Sequence, residues 1–359
     1  MPKIASVCTV NPVYSVNQTE ASSLTYHLFK DHFQQIERLM NVFNNGDIHK
    51  RHICMPLDWF REAHDFEERN HLYIEHAVHY GVQAIQKCLA NEAQLERSVH
   101  PSEIDAIFYI SSSGIATPSI EARIMNLLPF SDDTKRIPIW GLGCAGGAAG
   151  LSRASEYCLA FPKANVLVLA IEFCSLTFQK DDYTKSNLVG ASLFSDGIAC
   201  ALITGNASSI QTIKPSPKIL GTASKFMPNA EDVMGWDVKN SGLHVIFSKS
   251  IPAIITKWLG PFVHEFLDDY ALSKNDVTHF IAHPGGKKVL SAYEDALQFP
   301  QNKTNISREI LRDYGNMSSP TVLYVLERFL EQDPATNEIG LMAALGPGFC
   351  GELLLLRWE

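Results

Sequence analysis

The sequence predicts an α/β protein assembled from two copies of one unit. Three observations carry that prediction. Short β-rich apolar runs alternate with helix-like stretches. The order of runs in the first half recurs in the second. Corresponding landmarks keep their spacing: Cys144 precedes Val166 by 22 residues, and Asn316 precedes Ile339 by 23.

Taken in order, residues 70–90 place Ile74, Val78, Val82, Ile85 and Leu89 at helical spacing. "IDAIFYI" (104–110) reads as a buried strand running into "SSSG". "IPIWGLGC" is a second strand ending at Cys144, followed by the helix-like "AGGAAGLSRASEYCLAF". "NVLVLAIEF" (165–173) and "GIACALITG" (197–205) are further strands. In the second half, residues 250–268 read as a helix with Pro252 near its start, and "VTHFIAH" (277–283) as a strand ending at His283. Gly315-Asn316 precede a helix with Pro320 in its first turn. "IGLMAAL" (339–345) and "GELLLLRW" (351–358) close the set as strands. The last two strands are far apart in the first half and nearly contiguous in the second, so residues 174–196 read as an insertion. The predicted division is 1–206 and 207–359, two halves fused into one body with mixed sheets packed around shared helices.

Composition narrows the function. The 359 residues are 46% hydrophobic and 19% charged, enough for a core without disulfides or metal. With 30 Lys and Arg against 39 Asp and Glu the net charge is −9, which argues against nucleic-acid binding. The eight cysteines show no CxxC pair and no zinc-ligand spacing, so no metal is expected. No apolar run approaches the ~18 residues of a membrane span, and "MPKIASVCTVNPVYSV" is too weak for a secretory signal. A reduced, cytoplasmic protein without stable membrane insertion is expected.

The duplication brings a site with it. Cys144 sits at a strand-to-helix turn among small residues, "WGLGCAGGAAG". Asn316 is expected at the same turn of the second unit, with His283 at the end of a neighbouring strand. A thiol near pKa ~8.5 becomes a better nucleophile beside a helix N-terminus and a histidine. The glycines are expected to let backbone N–H groups and an acyl group reach the sulfur. Cys–His–Asn sets form covalent acyl intermediates. Each residue alone also fits a bland role: Cys144 as inert core, His283 as a satisfied turn histidine, Asn316 as a helix cap.

The stretches "GLGCAGGAAG", "LVGASLFSDGIA", "IAHPGG", "YGNMSSPTVL" and "ALGPGFCGELLLL" together resemble the type III polyketide synthases, the chalcone-synthase-like enzymes, in family order across nearly the whole chain. The resemblance implies the thiolase fold, with duplicated αβαβα layers, as a homodimer. It implies that Cys144 carries the growing acyl chain, and that His283 and Asn316 hold the malonyl thioester oxygen, with His283 also pairing with Cys144 as an ion pair. Phe194 matches the family's gatekeeping phenylalanine, and Gly346, Pro347 and Gly348 match the loop that shapes the cavity. Ser112, Cys174, Thr177, Met234 and Val245 are implied cavity positions. Coenzyme A phosphates would call for cations, for which Arg38, Lys50, Arg51, Lys287 and Lys288 are the candidates. Acyl-CoA and malonyl-CoA enter as substrates, with no resident cofactor. The chain departs from the plant enzymes in reading "ALGPG" for "GFGPG", Ser195 for Gly after Phe194, and Cys174 where Thr is common. An apolar cavity with few fixed donors suits an aliphatic starter, so fatty acyl-CoA substrates and alkylpyrone or alkylresorcinol products are expected. The alternatives are a ketoacyl-ACP synthase III, which condenses once and usually reads "HQAN" where this chain has "HPGG", a non-catalytic thiolase-fold partner, which typically lacks the nucleophile, and a lipid-binding module, which needs no Cys–His–Asn set.

Overall fold

The computed structural model describes residues 1–359. In chain order the first half holds strand β1 (Lys3–Val10), β2 (Tyr14–Asn17), helices α1 (Gln18–Phe29) and α2 (Ile36–Asn45), β3 (Lys50–Ile53), α3 (Phe66–Leu89), β4 (Ala106–Ser111), α4 (Ile120–Met125), β5 (Lys135–Trp140), α5 (Gly146–Ala160), β6 (Asn165–Phe173), α6 (Lys185–Leu193) and β7 (Asp196–Thr204). The rest holds β8 (Pro217–Phe226), β9 (Met234–Lys239), β10 (Gly242–Phe247), α7 (Ile251–Asp268), β11 (His279–Ala282), α8 (Lys287–Leu297), α9 (Asn305–Tyr314), α10 (Thr321–Leu330), β12 (Ile339–Gly346) and β13 (Cys350–Trp358).

Nine strands run in the order β11-β12-β13-β8-β1-β7-β6-β4-β5. β1 and β8 meet only at Lys3 opposite Lys218, so the sheet is two half-sheets joined at one point. Both halves pair alike. β1–β7 and β7–β6 are antiparallel and β6–β4 parallel; β8–β13 and β13–β12 are antiparallel and β12–β11 parallel. Residues alternate across each half-sheet. Val166, Val168 and Ala170 of β6 face a central core with α5, α10, Met342 and Leu354, whereas Leu167, Leu169 and Ile171 face α3. On the far side Leu341, Leu353 and Leu355 meet α7 and α8. Helices α5 and α10 are therefore sandwiched between half-sheets, with further helices outside each: five layers. Every residue of β6 and β7 is buried, which is why both read as nearly unbroken apolar runs.

Two expectations change. Asn316 does not follow a strand. The segment before it, with Ile306, Ile310 and Leu311 at helical spacing, is helix α9, and β5 has no counterpart in the second half. The core face of α3 is not the stripe through Ile74, Val78 and Val82, which are only partly buried. It runs through Tyr73, Ala77, Gly81, Ala84 and Cys88, joined at the C-terminal end by Ile85 and Leu89 of the expected stripe, with the small residues where the helix comes closest to its neighbours. A Cβ on Gly81 would lie 2.6 Å from Ile124. The 174–196 insertion is a short turn, a loop and α6. All eight cysteines are free, and no helix is long and apolar enough to cross a membrane.

Candidate active site

Cys144 lies in a single 3₁₀ turn, Gly143–Ala145, between β5 and the first residue of α5. Gly143 has φ +45°, and a Cβ there would strike the Pro347 ring at 2.8 Å. Its N–H donates to Ser112 Oγ at 3.0 Å, and the Ser112 N–H donates to Glu172 Oε2 at 2.9 Å. A Cβ on Gly346 would lie 2.5 Å from the Leu142 carbonyl oxygen, so the Gly346-Pro347-Gly348 loop buttresses this turn from outside.

The remaining glycines have a different use from the one the sequence suggests. A Cβ on Gly146 would lie 2.6 Å from Ile110, one on Gly150 2.7 Å from Ile110, and one on Gly147 2.2 Å from the Ser319 carbonyl oxygen. They let α5 seat against β4 and against the start of α10, and that contact, rather than ligand access, requires them. It brings the N-terminal ends of α5 and α10 together, and with them Cys144 and Asn316.

The Asn316 amide is fixed on both sides. Its Oδ1 accepts the Ser318 N–H at 2.8 Å and its Nδ2 donates to the Gly285 carbonyl at 3.2 Å. Cys144 Sγ lies 3.9 Å from Oδ1 and 4.0 Å from Nδ2. The Asn316 backbone is pinned to the Phe194 strand, its N–H donating to the Leu193 carbonyl and its carbonyl accepting the Ser195 N–H. His283 follows the last residue of β11, and its N–H donates to the Ala343 carbonyl. Cys144, His283 and Asn316 line one cavity of about 20 Å³, closed by apolar groups that include Met234 and Phe247.

Electrostatics set the resting state. Cys144 keeps some accessible surface, yet burial of its surroundings pushes its thiol up to about 11, with the Ser318 hydroxyl and Asn316 amide pulling part of the way back. Burial pulls His283 down to about 3, and neither ring nitrogen has a hydrogen-bond partner. The expected thiolate–imidazolium pair is therefore not the resting form: an apolar cavity without a fixed counter-charge holds both groups neutral. His283 and Cys144 line the same cavity without a hydrogen bond between them.

A second cavity of about 70 Å³ has its own set of lining residues, none shared with the first. Cys174, Thr177, Phe194 and Val245 line it. The β9–β10 hairpin reaches both: Met234 and Phe247, paired across it, line the Cys144 cavity, and Val245, on the same face of the ribbon, lines the second. The Phe194 ring, which lines the second cavity, packs on Trp236 at 5.7 Å.

Other expected residues lie elsewhere. Ser112 lines neither cavity, because its hydroxyl and N–H are spent on Gly143 and Glu172. Arg51 is no surface phosphate contact. It is buried against α6, Nη1 donating to the Ala191 and Phe194 carbonyls at 2.7 and 2.8 Å, and burial lowers it to about 10. Lys287 is exposed but paired with Asp47 at 2.8 Å. Arg38, Lys50 and Lys288 are exposed without ion pairs.

Sequence reading missed Glu172, Ser318 and Tyr293. A lone acid inside "NVLVLAIEF" was the signal available for Glu172. It is fully buried and accepts from the Ser112 N–H, Ser113 Oγ at 2.7 Å and Ser319 Oγ at 3.0 Å, tying both halves together behind the Cys144 turn. Burial pushes it up to about 7.

The chain is similar to known proteins along nearly its whole length. Residues 3–207 match the N-terminal domain, and residues 218–358 the C-terminal domain, of chalcone and stilbene synthases. A Bacillus subtilis (strain 168) protein provisionally named chalcone synthase is 48% identical over 100% of this chain and 99% of its own. The alpha-pyrone synthesis polyketide synthase-like Pks18 of Mycobacterium tuberculosis is 29% identical over 98% of this chain and 90% of its own. The crystal structure of 1,3,6,8-tetrahydroxynaphthalene synthase from Streptomyces coelicolor A3(2), a bacterial type III polyketide synthase, superposes with a TM-score of 0.91 at 30% identity, covering 99% of both chains.

Glu172 yields a pH prediction. Its folded pKa lies above the unfolded value of 4.5, so the fold binds the extra proton between the two, and this group's contribution declines as pH rises from 4.5 through 7. Glu172→Gln is expected to gain about 3 kcal/mol relative to the unmodified protein between pH 4.5 and 8. Urea unfolding across that range checks this, and parallel pH profiles would contradict it.

Proposed function

The chain belongs to the chalcone and stilbene synthase family and is a type III polyketide synthase, a decarboxylating, condensing acyltransferase; on that premise we propose that it loads a fatty acyl starter from coenzyme A onto Cys144, extends it with malonyl-CoA and releases alkylpyrone or alkylresorcinol products. With that membership the single-condensation alternative drops out. The chemistry of the second cavity carries the starter assignment. Most of its polar groups are already engaged: the Thr177 hydroxyl donates to the Cys174 carbonyl at 2.7 Å and Arg51 Nη1 donates to two backbone carbonyls, while the buried Arg51 Nε is unpaired. What remains for a ligand is a largely apolar wall, which suits an alkyl chain and leaves a phenolic hydroxyl unpaired.

In this reading His283 takes the Cys144 proton as sulfur attacks the starter thioester, and the coenzyme A thiolate leaves with a proton. The malonyl thioester oxygen then sits before His283 and Asn316. Loss of carbon dioxide puts negative charge on that oxygen, and one preorganised donor stabilises such charge by ~3–4 kcal/mol in other enzymes. The fixed Asn316 amide supports this role, since it needs no reorganisation as the charge develops. The enolate carbon attacks the acyl group on Cys144, and the thiolate departs to be reloaded. Phe194, which lines the second cavity and packs on Trp236, is proposed as the gatekeeper. Exposed Arg38, Lys50 and Lys288 remain candidates for coenzyme A phosphates. We divide the chain at residues 206 and 207, where it crosses between half-sheets. A homodimer is proposed through edge strand β5, whose outer backbone is unpaired and whose Trp140 is half exposed.

A panel of acyl-CoA starters from two carbons to long chains, each with malonyl-CoA, tests the substrate class by product mass. Alkylpyrones or alkylresorcinols from the longer starters are expected, and turnover of only short or aromatic starters would contradict the assignment. Cys144→Ala is expected to fold normally and to lose covalent starter loading altogether; elongation by that variant would remove Cys144 from its role.

A further inference from the structure

The Cys144 cavity contains a polar group that no step above uses. Tyr293 lies on the second turn of α8, and its ring is fully buried, meeting Phe280 edge to face at 5.9 Å. It lines the same cavity as Cys144, His283 and Asn316. Its hydroxyl is buried and has no hydrogen-bond partner, a condition it shares with both ring nitrogens of His283. Buried polar atoms in native proteins are nearly always paired, so an orphan calls for a reason. Phenylalanine would make the same ring contacts without the orphaned group. Three unpaired polar atoms surround one small cavity otherwise closed by Met234, Phe247, Ile251, Ile255 and Val289, and two of them, the phenol O–H and the single N–H of a neutral imidazole, are donors that await an acceptor.

We infer that the Tyr293 hydroxyl is a third hydrogen-bond donor to the malonyl thioester oxygen, acting beside His283 and Asn316 as the enolate forms. This rests on the malonyl-binding reading above. One Asn316 N–H is already spent on the Gly285 carbonyl, and a neutral imidazole has one N–H to give, so two donors remain for an oxygen that goes from carbonyl to full anion. Burial raises the phenol above its ordinary range, which keeps the proton on oxygen and makes the group a donor at every working pH. During decarboxylation the bond between Cα and the carboxylate breaks, its electron pair becomes the new carbon–carbon π bond, the thioester carbonyl pair moves to oxygen, and carbon dioxide leaves. Tyr293 transfers no proton. The carboxylate is the weaker candidate for this donor, since holding charge on the departing group would oppose its loss.

Full-length Tyr293→Phe separates the possibilities. Malonyl-CoA decarboxylation, covalent loading of Cys144 by an acyl-CoA starter, and thermal unfolding are measured on the same preparation, with Asn316→Ala alongside. The expected result is a decarboxylation kcat lowered ~10-fold or more, a malonyl-CoA KM and starter loading within about twofold of normal, and a Tm unchanged or higher. Decarboxylation at the normal kcat, or a raised KM alone, would overturn the inference. A lower Tm with loading and decarboxylation falling together would assign Tyr293 a structural role and overturn it too. If Asn316→Ala decarboxylates normally, the underlying reading of the site fails; if Asn316→Ala is impaired while Tyr293→Phe is not, only the Tyr293 inference fails.

Discussion

The site depends on one close approach, between Gly147 at the start of α5 and the Ser319 carbonyl just ahead of α10. A Cβ at Gly147 would sit 2.2 Å from that oxygen, so only glycine allows the two helices to meet there. Each helix begins beside a functional residue, and each belongs to a different half of the duplicated chain. Their contact turns two sequence-distant segments, 172 residues apart, into one pair with sulfur and amide about 4 Å apart. Everything around it preserves the approach. Glu172 bonds Ser112 and Ser113 on one half and Ser319 on the other, Ser112 holds the Gly143 N–H, and Pro347 covers Gly143.

Burial is the second constraint, and it pulls in two directions. Burial in the apolar cavity raises the Cys144 thiol and lowers His283, which favours the neutral form of both. The same surroundings strengthen each hydrogen bond made to an oxyanion once substrate has displaced water. The orphaned nitrogens of His283 and the pinned amide of Asn316 are two forms of one design: polar groups held in place before their partner arrives.

Much of this was legible in the chain. The strands β6, β7, β12 and β13 are buried on both faces, so their apolar runs announce them, and the spacing of Cys144 and Asn316 exposes the duplication. Other parts could not be read. β1, "KIASVCTV", joins the half-sheets, but its small residues resemble any short apolar stretch. β8 carries Gly221 and lysines that weaken a strand signal. The α3 stripe misleads in its first half, because Ile74, Val78 and Val82 look like core while the helix turns Tyr73, Ala77 and Gly81 inward. Arg51 looks like a surface cation until the fold buries it under two carbonyls at the end of α6. Tyr293 has no local mark at all, since its meaning comes from the cavity assembled around it.

The most direct measurement is the malonyl-CoA decarboxylation rate of Gly147→Ala, read together with its thermal unfolding. The added methyl must push α5 from α10, and a shift of this kind in a packed core costs about 1–3 kcal/mol. The account predicts a lowered Tm and a rate reduced well beyond the loss of folded protein, because Cys144 and Asn316 lose their spacing. A variant with unchanged Tm and unchanged rate would show that the helix contact does not set the site.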